Sequence, residues 1–124
     1  MSDKLRFEER ELRRYGQPVS AKYIKEGQVY FSLGFARDMR VPVMETLVYI
    51  GKNLDPGVTH TVYFQDALSY YEGVRYETDP EGERSLIYLF PEDQTKGVFV
   101  FERALDLLLE VSLAAQADEG TRPN

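Results

Sequence analysis

Two apolar runs, residues 44–50 and 58–64, flank the connector Lys52, Asn53, Leu54, Asp55, Pro56 and Gly57. Runs rich in β-branched and aromatic residues fit a pleated, half-buried surface, and Asn, Pro and Gly supply the backbone angles of a turn. The segment therefore reads as a hairpin at the centre of a sheet. Met44, Thr46, Val48 and Ile50 fall on one side of the first run, with Leu47 and Tyr49 beside Glu45 on the other. Apolar atoms on both sides indicate an interior strand or a sheet covered on both faces.

The flanking sequence extends the pattern. Val19, Ala21 and Tyr23 alternate with Ser20, Lys22 and Ile24 ahead of a turn at 25–28, which predicts another strand. Val29, Phe31, Leu33 and Phe35 share one face of the next strand and Gln28, Tyr30, Ser32 and Gly34 the other, so the first face is expected in the core and the second in water. Pro42 holds Val41 extended at the start of the central strand. Residues 65–73 break the alternation: Asp66 is placed to cap a single helical turn over 67–71, and Gly73 to end it. Strands are expected again at 74–77, 85–90 and 98–100, with a turn at 78–83.

Two segments carry helical signals. Ser2 is placed to cap a weakly amphipathic helix through Tyr15, with Leu5, Leu12 and Tyr15 on one side. Residues 101–116 are dominated by Ala, Leu and Glu, strong helix formers. Their polar residues Glu102, Arg103, Asp106 and Glu110 form a narrow stripe. Ala104, Leu105, Leu107, Leu108, Leu109, Val111 and Leu113 cover most of the remaining circumference, more than one buried face would use. That helix must sit in a groove of the sheet or meet its copy in a second subunit.

The expected fold is a single α+β domain over 1–124. It comprises a helical segment 1–15, a β-rich body 18–100 forming a curved antiparallel sheet or small open barrel of about five to seven strands, the helix 101–116, and a disordered tail 117–124. A chain of 124 residues can bury one core without metal or disulfide staples, and the absence of Cys removes thiol chemistry. No stretch reaches the length of a membrane span and residues 1–9 lack the apolar core of a secretory signal, so a cytoplasmic protein is expected.

The net charge of −6 is uneven: residues 1–25 carry seven Lys/Arg against four Asp/Glu, a balance of +3, while 26–124 carry eight against seventeen, a balance of −9. The acidic body repels phosphate backbones, which argues against nucleic acid except at the basic N-terminal segment.

Chemistry-bearing residues are sparse. His60, the only histidine, falls in alternation with Val58, Val62 and Phe64 and is expected on the apolar side of its strand. Its ordinary role there is a packed side chain with one hydrogen bond; the sharper one is a general base or ligand contact oriented by Glu45 or Asp66. None of Ser20, Ser32, Ser69, Ser85 and Ser112 has the context of an activated nucleophile. The carboxylates Glu77, Asp79, Glu81 and Glu83 lack calcium-loop spacing and fit a solvated turn. No metal or cofactor is called for, and the glycines form no phosphate-binding fingerprint. Nine tyrosines and seven phenylalanines against no tryptophan concentrate amphipathic rings near the central strands, as partner surfaces and pockets favour.

Two functions follow as expectations. The first is a non-catalytic interaction or scaffold domain, homodimeric through Leu105, Leu108 and Leu109, presenting its tyrosines to a protein or peptide. The second is a small-molecule binder or modest enzyme with a pocket between the central strands and the 66–71 turn, lined by Glu45, Tyr49, His60, Tyr63 and Asp66.

Overall fold

The computed structural model describes residue 4, residues 11–37 and residues 41–121, the last five by backbone alone. The central hairpin forms as expected: β2 (Val41–Lys52) pairs antiparallel with β3 (Thr61–Asp66). With β1 (Val29–Ala36), β4 (Ile87–Pro91) and β5 (Val98–Phe99) they make one antiparallel sheet in the order β4-β3-β2-β1-β5. Together with a short helix α1 (Ala67–Tyr71) and a long helix α2 (Phe101–Thr121), the sheet gives an α+β fold.

The sheet is open but strongly curved. Its outermost strands are consecutive in the chain, joined only by residues 92–97. In a flat sheet, strands two apart stand about 9.6 Å from each other. Yet the ring of Phe64 on β3 lies 6.1 Å from that of Tyr30 on β1, as well as 5.4 Å from Tyr49 and 5.6 Å from Phe90. Val98 at one edge and Tyr88 and Phe90 at the other join a single cluster with Tyr30, Leu47, Tyr49, Val62 and Phe64. A bulge between Tyr49 and Gly51 adds to the bend. Beyond the reach of β3, residues 41–46 of β2 pair with β1 alone among the described residues, an edge position that tolerates Pro42.

Covering the concave face requires a lid, and residues 18–24 provide it. They are not the expected strand. Val19, Ala21 and Ile24 pack onto the cluster, with one 3-10 turn at Ala21–Tyr23. Val19 N–H donates to Val98 O at 2.8 Å, Thr95 Oγ1 donates to Val19 O at 2.8 Å, and Lys25 N–H donates to Tyr30 Oη at 2.8 Å. This lid also changes the expected burial of β1 at one position: Tyr30, assigned to the wet face, is buried, while on the expected core face Leu33 is buried and Phe31 and Phe35 are partly exposed.

On the convex face α2 lays Ala104, Leu107 and Leu108 against Leu33, Phe31 and Phe99. Asp106 is fully buried, with Arg103 Nη1 at 3.1 Å from its Oδ2. The helix runs to Thr121, so the tail expected from 117 begins inside it. Of the N-terminal helix, Ser2 and Leu5 lie outside the described residues; Leu12 is in irregular chain, and Tyr15 lies in a 3-10 turn, Arg14–Gly16, against α2. Tyr15 there has φ +60 and Gly16 φ +68, angles no α-helix continues through. No helix among the described residues is long and apolar enough to cross a membrane.

The α1 turn follows its sequence signals. Asp66 accepts a hydrogen bond from Ser69 N–H at 2.9 Å, and Gly73 turns the chain at φ +96. Asp66 Oδ1 also accepts from Leu86 N–H at 2.8 Å, which ties the cap to the entry of β4. Asp66→Ala is expected to cost about 1–2 kcal/mol in a urea titration, whereas Leu68→Ala, at an exposed position of the same turn, should leave the midpoint nearly unchanged. The strand expected at 74–77 is absent. Val74 is buried and Tyr76–Thr78 forms a 3-10 turn, because Tyr76 is drawn across to the hairpin loop rather than into a ladder.

Candidate functional site

The hairpin loop is held by two tyrosines. Opposite Tyr63 in the β2–β3 ladder stands Gly51, which leaves space on that face. The Tyr63 hydroxyl donates to Asp55 Oδ2 at 2.6 Å, and the Tyr76 hydroxyl reaches the same carboxylate at 2.8 Å. Their rings meet edge to face at 5.7 Å. Hydrogen bonds from Tyr63 and then Tyr76 hold the Asp55 carboxyl below its usual range. Burial and the Asp55 charge push both phenols up, Tyr76 to about 12.

The clamp sets one wall of a cavity of about 180 Å³. Leu54 packs into the space left by Gly51, where a Cβ would come within 2.8 Å of Leu54 Cδ2. Gln65, Tyr70 and Tyr76 line the cavity, with exposed Glu26, Arg75 and Glu77 at its rim. The Arg75 guanidinium lies over the Tyr70 ring at 4.0 Å, and its Nη1 donates to Tyr70 O at 2.8 Å and Val74 O at 3.0 Å.

The five residues expected to line one pocket are dispersed. Tyr63 belongs to the clamp, Tyr49 is buried in the aromatic cluster and borders the cavity, and Asp66 caps α1. Glu45 is exposed on the part of β2 beyond β3. His60 differs most from expectation: it precedes β3, has φ +54, and its side chain is 81% exposed. Strand alternation does not apply to a residue in the left-handed region, which is why the periodicity placed it wrongly.

The imidazole partner is neither Glu45 nor Asp66 but Glu92. Its Oε1 lies 2.9 Å from His60 Nδ1, and its Oε2 2.9 Å from Lys52 Nζ. These two contacts, His60 first, hold the Glu92 carboxyl below its usual range. The group is a surface bracket between the hairpin loop and the end of β4. Among the described residues no cluster of three or more His, Asp or Glu is arranged to hold a metal ion.

Gln65, Arg75 and Tyr76 line the cavity and Asp55 holds Tyr76 in place, yet no spacing marks them. Asp55 reads as a turn residue, and Tyr76 meets it only through the fold. Glu77, Asp79, Glu81 and Glu83 do form a turn, built on Asp79, which accepts from Ser85 Oγ at 2.7 Å and from the Glu83 and Arg84 N–H groups.

A second feature lies on α2. Phe101, Leu105, Leu109 and Leu113 recur every four residues as a single ridge. Phe101, Leu109 and Leu113 are 61%, 39% and 58% exposed, and every residue from Ser112 to Gln116 is exposed. Leu108, expected at an interface, instead faces the sheet, and Leu105 is half-buried.

The clamp makes a testable pH signature. A phenol with a raised folded pKa contributes stability that is complete below the ordinary value near 10 and is lost as pH rises toward the folded value. Absorbance at about 295 nm should therefore show Tyr76 ionising late, near pH 12. Asp55→Asn should bring that late phase earlier; an unchanged titration would show that Asp55 does not hold the phenols. Comparison with protein-family models, with curated proteins and with solved structures finds no match to this chain.

Proposed function

We propose that this chain is a non-catalytic interaction domain that pairs with a second copy of itself through the outer ridge of α2. The observation that carries the reading is the exposed row Phe101, Leu109 and Leu113 on a helix whose opposite side is already satisfied by the sheet. From Ser112 to Gln116 the helix is exposed all round. A helical stretch this short is marginal in water without packing, so a surface that covers it stabilises it.

The ridge continues onto the sheet. Phe101 meets Phe31 edge to face at 5.7 Å, Phe31 lies opposite Thr46 in the β1–β2 ladder, and half-exposed Met44 follows on the same face. A two-fold axis across this patch would cover each ridge with its copy, the commonest closed symmetry. Burying the remaining exposed part of each ridge side chain contributes about 1 kcal/mol. Set against the cost of association, this supports a dimer with a Kd of about 10–100 μM.

Sedimentation equilibrium across that concentration range should show a monomer–dimer equilibrium, and Leu109→Glu with Leu113→Glu should abolish it while leaving the circular dichroism spectrum unchanged. Leu108→Glu would not be a clean probe, because Leu108 packs on the sheet. A monomer persisting to about 500 μM would overturn the reading.

The alternative small-molecule site around His60 loses its main support, since the imidazole is solvent-exposed and bracketed by Glu92.

A further inference from the structure

The edge of a sheet either carries a device that discourages a further strand or offers that strand a row of N–H and C=O groups. Two stretches of edge in this sheet are guarded. β5 is only two residues long, and its outer residue Val98 is already used: its N–H donates to Thr95 O and its C=O accepts from Val19 N–H. The part of β2 beyond β3 carries Pro42, which has no N–H, and the charge of Glu45. β4, the last strand at the opposite edge, has no such device. Residues 85–90 run without a charge or a proline.

Which backbone groups of β4 face outward follows from two hydrogen bonds at its ends. Asp66 N–H donates to Leu86 O at 3.0 Å and Glu92 N–H to His60 O at 2.8 Å, so the even-numbered positions face β3. Ile87 and Leu89 therefore turn their N–H and C=O groups away from the sheet, where none has a hydrogen-bond partner among the described residues. Along the same edge Leu86 and Leu89 are 60% and 51% exposed.

This edge is complementary to itself. When it lies antiparallel to its own copy with Tyr88 on the two-fold axis, Ile87 stands opposite the copy's Leu89 and the two exchange both hydrogen bonds. The axis repeats the exchange, so every outward N–H of Ile87 and Leu89 meets a C=O. Exposed Leu86 comes opposite the copy's Phe90, and exposed Leu89 opposite the copy's Ile87. Beyond the strand ends the same register brings Arg84 toward the copy's Glu92, an opposite charge.

We infer that β4 is a docking edge for β4 of a second copy of this chain, antiparallel and with Tyr88 on the two-fold axis. The inference does not rest on pairing through α2, which packs on β1 and β5. A short strand contact covers less area than the α2 ridge, so a Kd of about 1 mM is expected. A molecule using both contacts at once continues past a dimer, because the two axes lie at different places.

The test uses the full chain carrying Leu109→Glu with Leu113→Glu, which removes pairing through α2, in ¹H–¹⁵N spectra recorded from about 0.05 to 2 mM protein. The amide signals of Ile87 and Leu89 should move downfield with concentration along a curve of that Kd, while those of β1 stay in place. Leu89→Lys in the same chain should weaken the pairing at least about fivefold, since it sets a charge against the copy's Ile87. Adding Ile87→Glu puts opposite charges at that pair and should restore the affinity to within about twofold. No register that sets position 87 against itself, or 89 against itself, could give that rescue. With the α2 ridge intact, Leu89→Lys should leave the α2 equilibrium unchanged, so the two contacts are read separately.

Three results overturn the inference. One is an absence of movement at Ile87 and Leu89 up to about 2 mM, which would leave the edge to a strand of a different protein. Another is movement that Leu89→Lys leaves intact. The third is a loss that Ile87→Glu deepens in a chain with an unchanged circular dichroism spectrum. The concentration series on the unaltered edge needs no variant of β4, so it decides the matter should one of them fail to fold.

Discussion

Phe64→Ala is expected to lower the unfolding free energy by about 3–5 kcal/mol and the melting temperature by about 10–25 °C. Phe64 is fully buried, and its ring touches Tyr30, Tyr49 and Phe90, which belong to three different strands. Removing it takes away the transfer free energy of a benzyl group and leaves a hole between rings that the curved backbone prevents from closing fully. Phe64→Leu, which keeps much of the volume, should cost less than half as much. Urea titration of the three proteins measures the series. A loss under about 1 kcal/mol for the alanine variant would mean that the two edges of the sheet do not share this core.

Gly16→Ala is the second large effect, and its cause is steric. A Cβ at Gly16 would lie 2.7 Å from Arg103 O, 2.9 Å from Phe99 Cε1 and 3.0 Å from Leu107 Cβ. The first of these is helix backbone and cannot swing away. The position also has φ +68, which favours glycine for its own reasons. Strain and collision together should destabilise by about 2–4 kcal/mol.

Gly57→Ala isolates the backbone contribution, because Gly57 has φ +77 and open space around it; about 1 kcal/mol is expected there. If the two variants proved equally stable, the Arg14–Gly16 turn would not be seated on α2. The contact matters for the proposed pairing, since this turn and the sheet together set which side of α2 stays outside. Tyr15 N–H donating to Glu110 Oε2 at 2.8 Å fastens the same junction further along the helix.

Much of the fold was legible in local pattern. The central hairpin, the Asp66-capped turn ending at Gly73 and the C-terminal helix rest on signals contained within a few residues: β-branched alternation, a cap, a glycine, a run of helix formers. The misplaced elements were those whose conformation answers to distant partners. Residues 18–24 alternate like a strand in sequence, yet Val19, Ala21 and Ile24 pack on the core while Tyr23 is exposed, because the 3-10 turn at Ala21–Tyr23 shifts the buried side as the segment crosses the face of the sheet. Residues 74–77 look extended in sequence, yet Tyr76 is committed to a carboxylate on the hairpin loop. Tyr30 was assigned to water on the strength of Gln28 and Ser32 beside it, and a lid from elsewhere in the chain buries it.

The candidate sites divide in the same way. The apolar excess of α2 is countable in the sequence, but which leucines are spent on the sheet is a matter of helix rotation: Leu107 and Leu108 go inward, Leu109 and Leu113 outward. His60 stood out as the sole imidazole, and a single left-handed residue ahead of β3 turned it out to solvent. Gln65 carried no signal at all, because an amide becomes informative only when its neighbours have used its nitrogen and left its oxygen buried.

By itself, then, the amino-acid sequence determined the elements whose free energy is local, namely the capped turn, the β-branched hairpin and the leucine-rich helix, together with the acidic charge and the lack of thiol chemistry. Tertiary structure alone decided that Phe90 and Val98 from opposite edges of the curved sheet share one core, and it alone set the lid over Tyr30, the Asp55–Tyr63–Tyr76 clamp and the orphaned oxygen of Gln65. The physical reason is that hydrogen bonding and burial depend on which groups meet in space, and for these residues the partners lie far away along the chain.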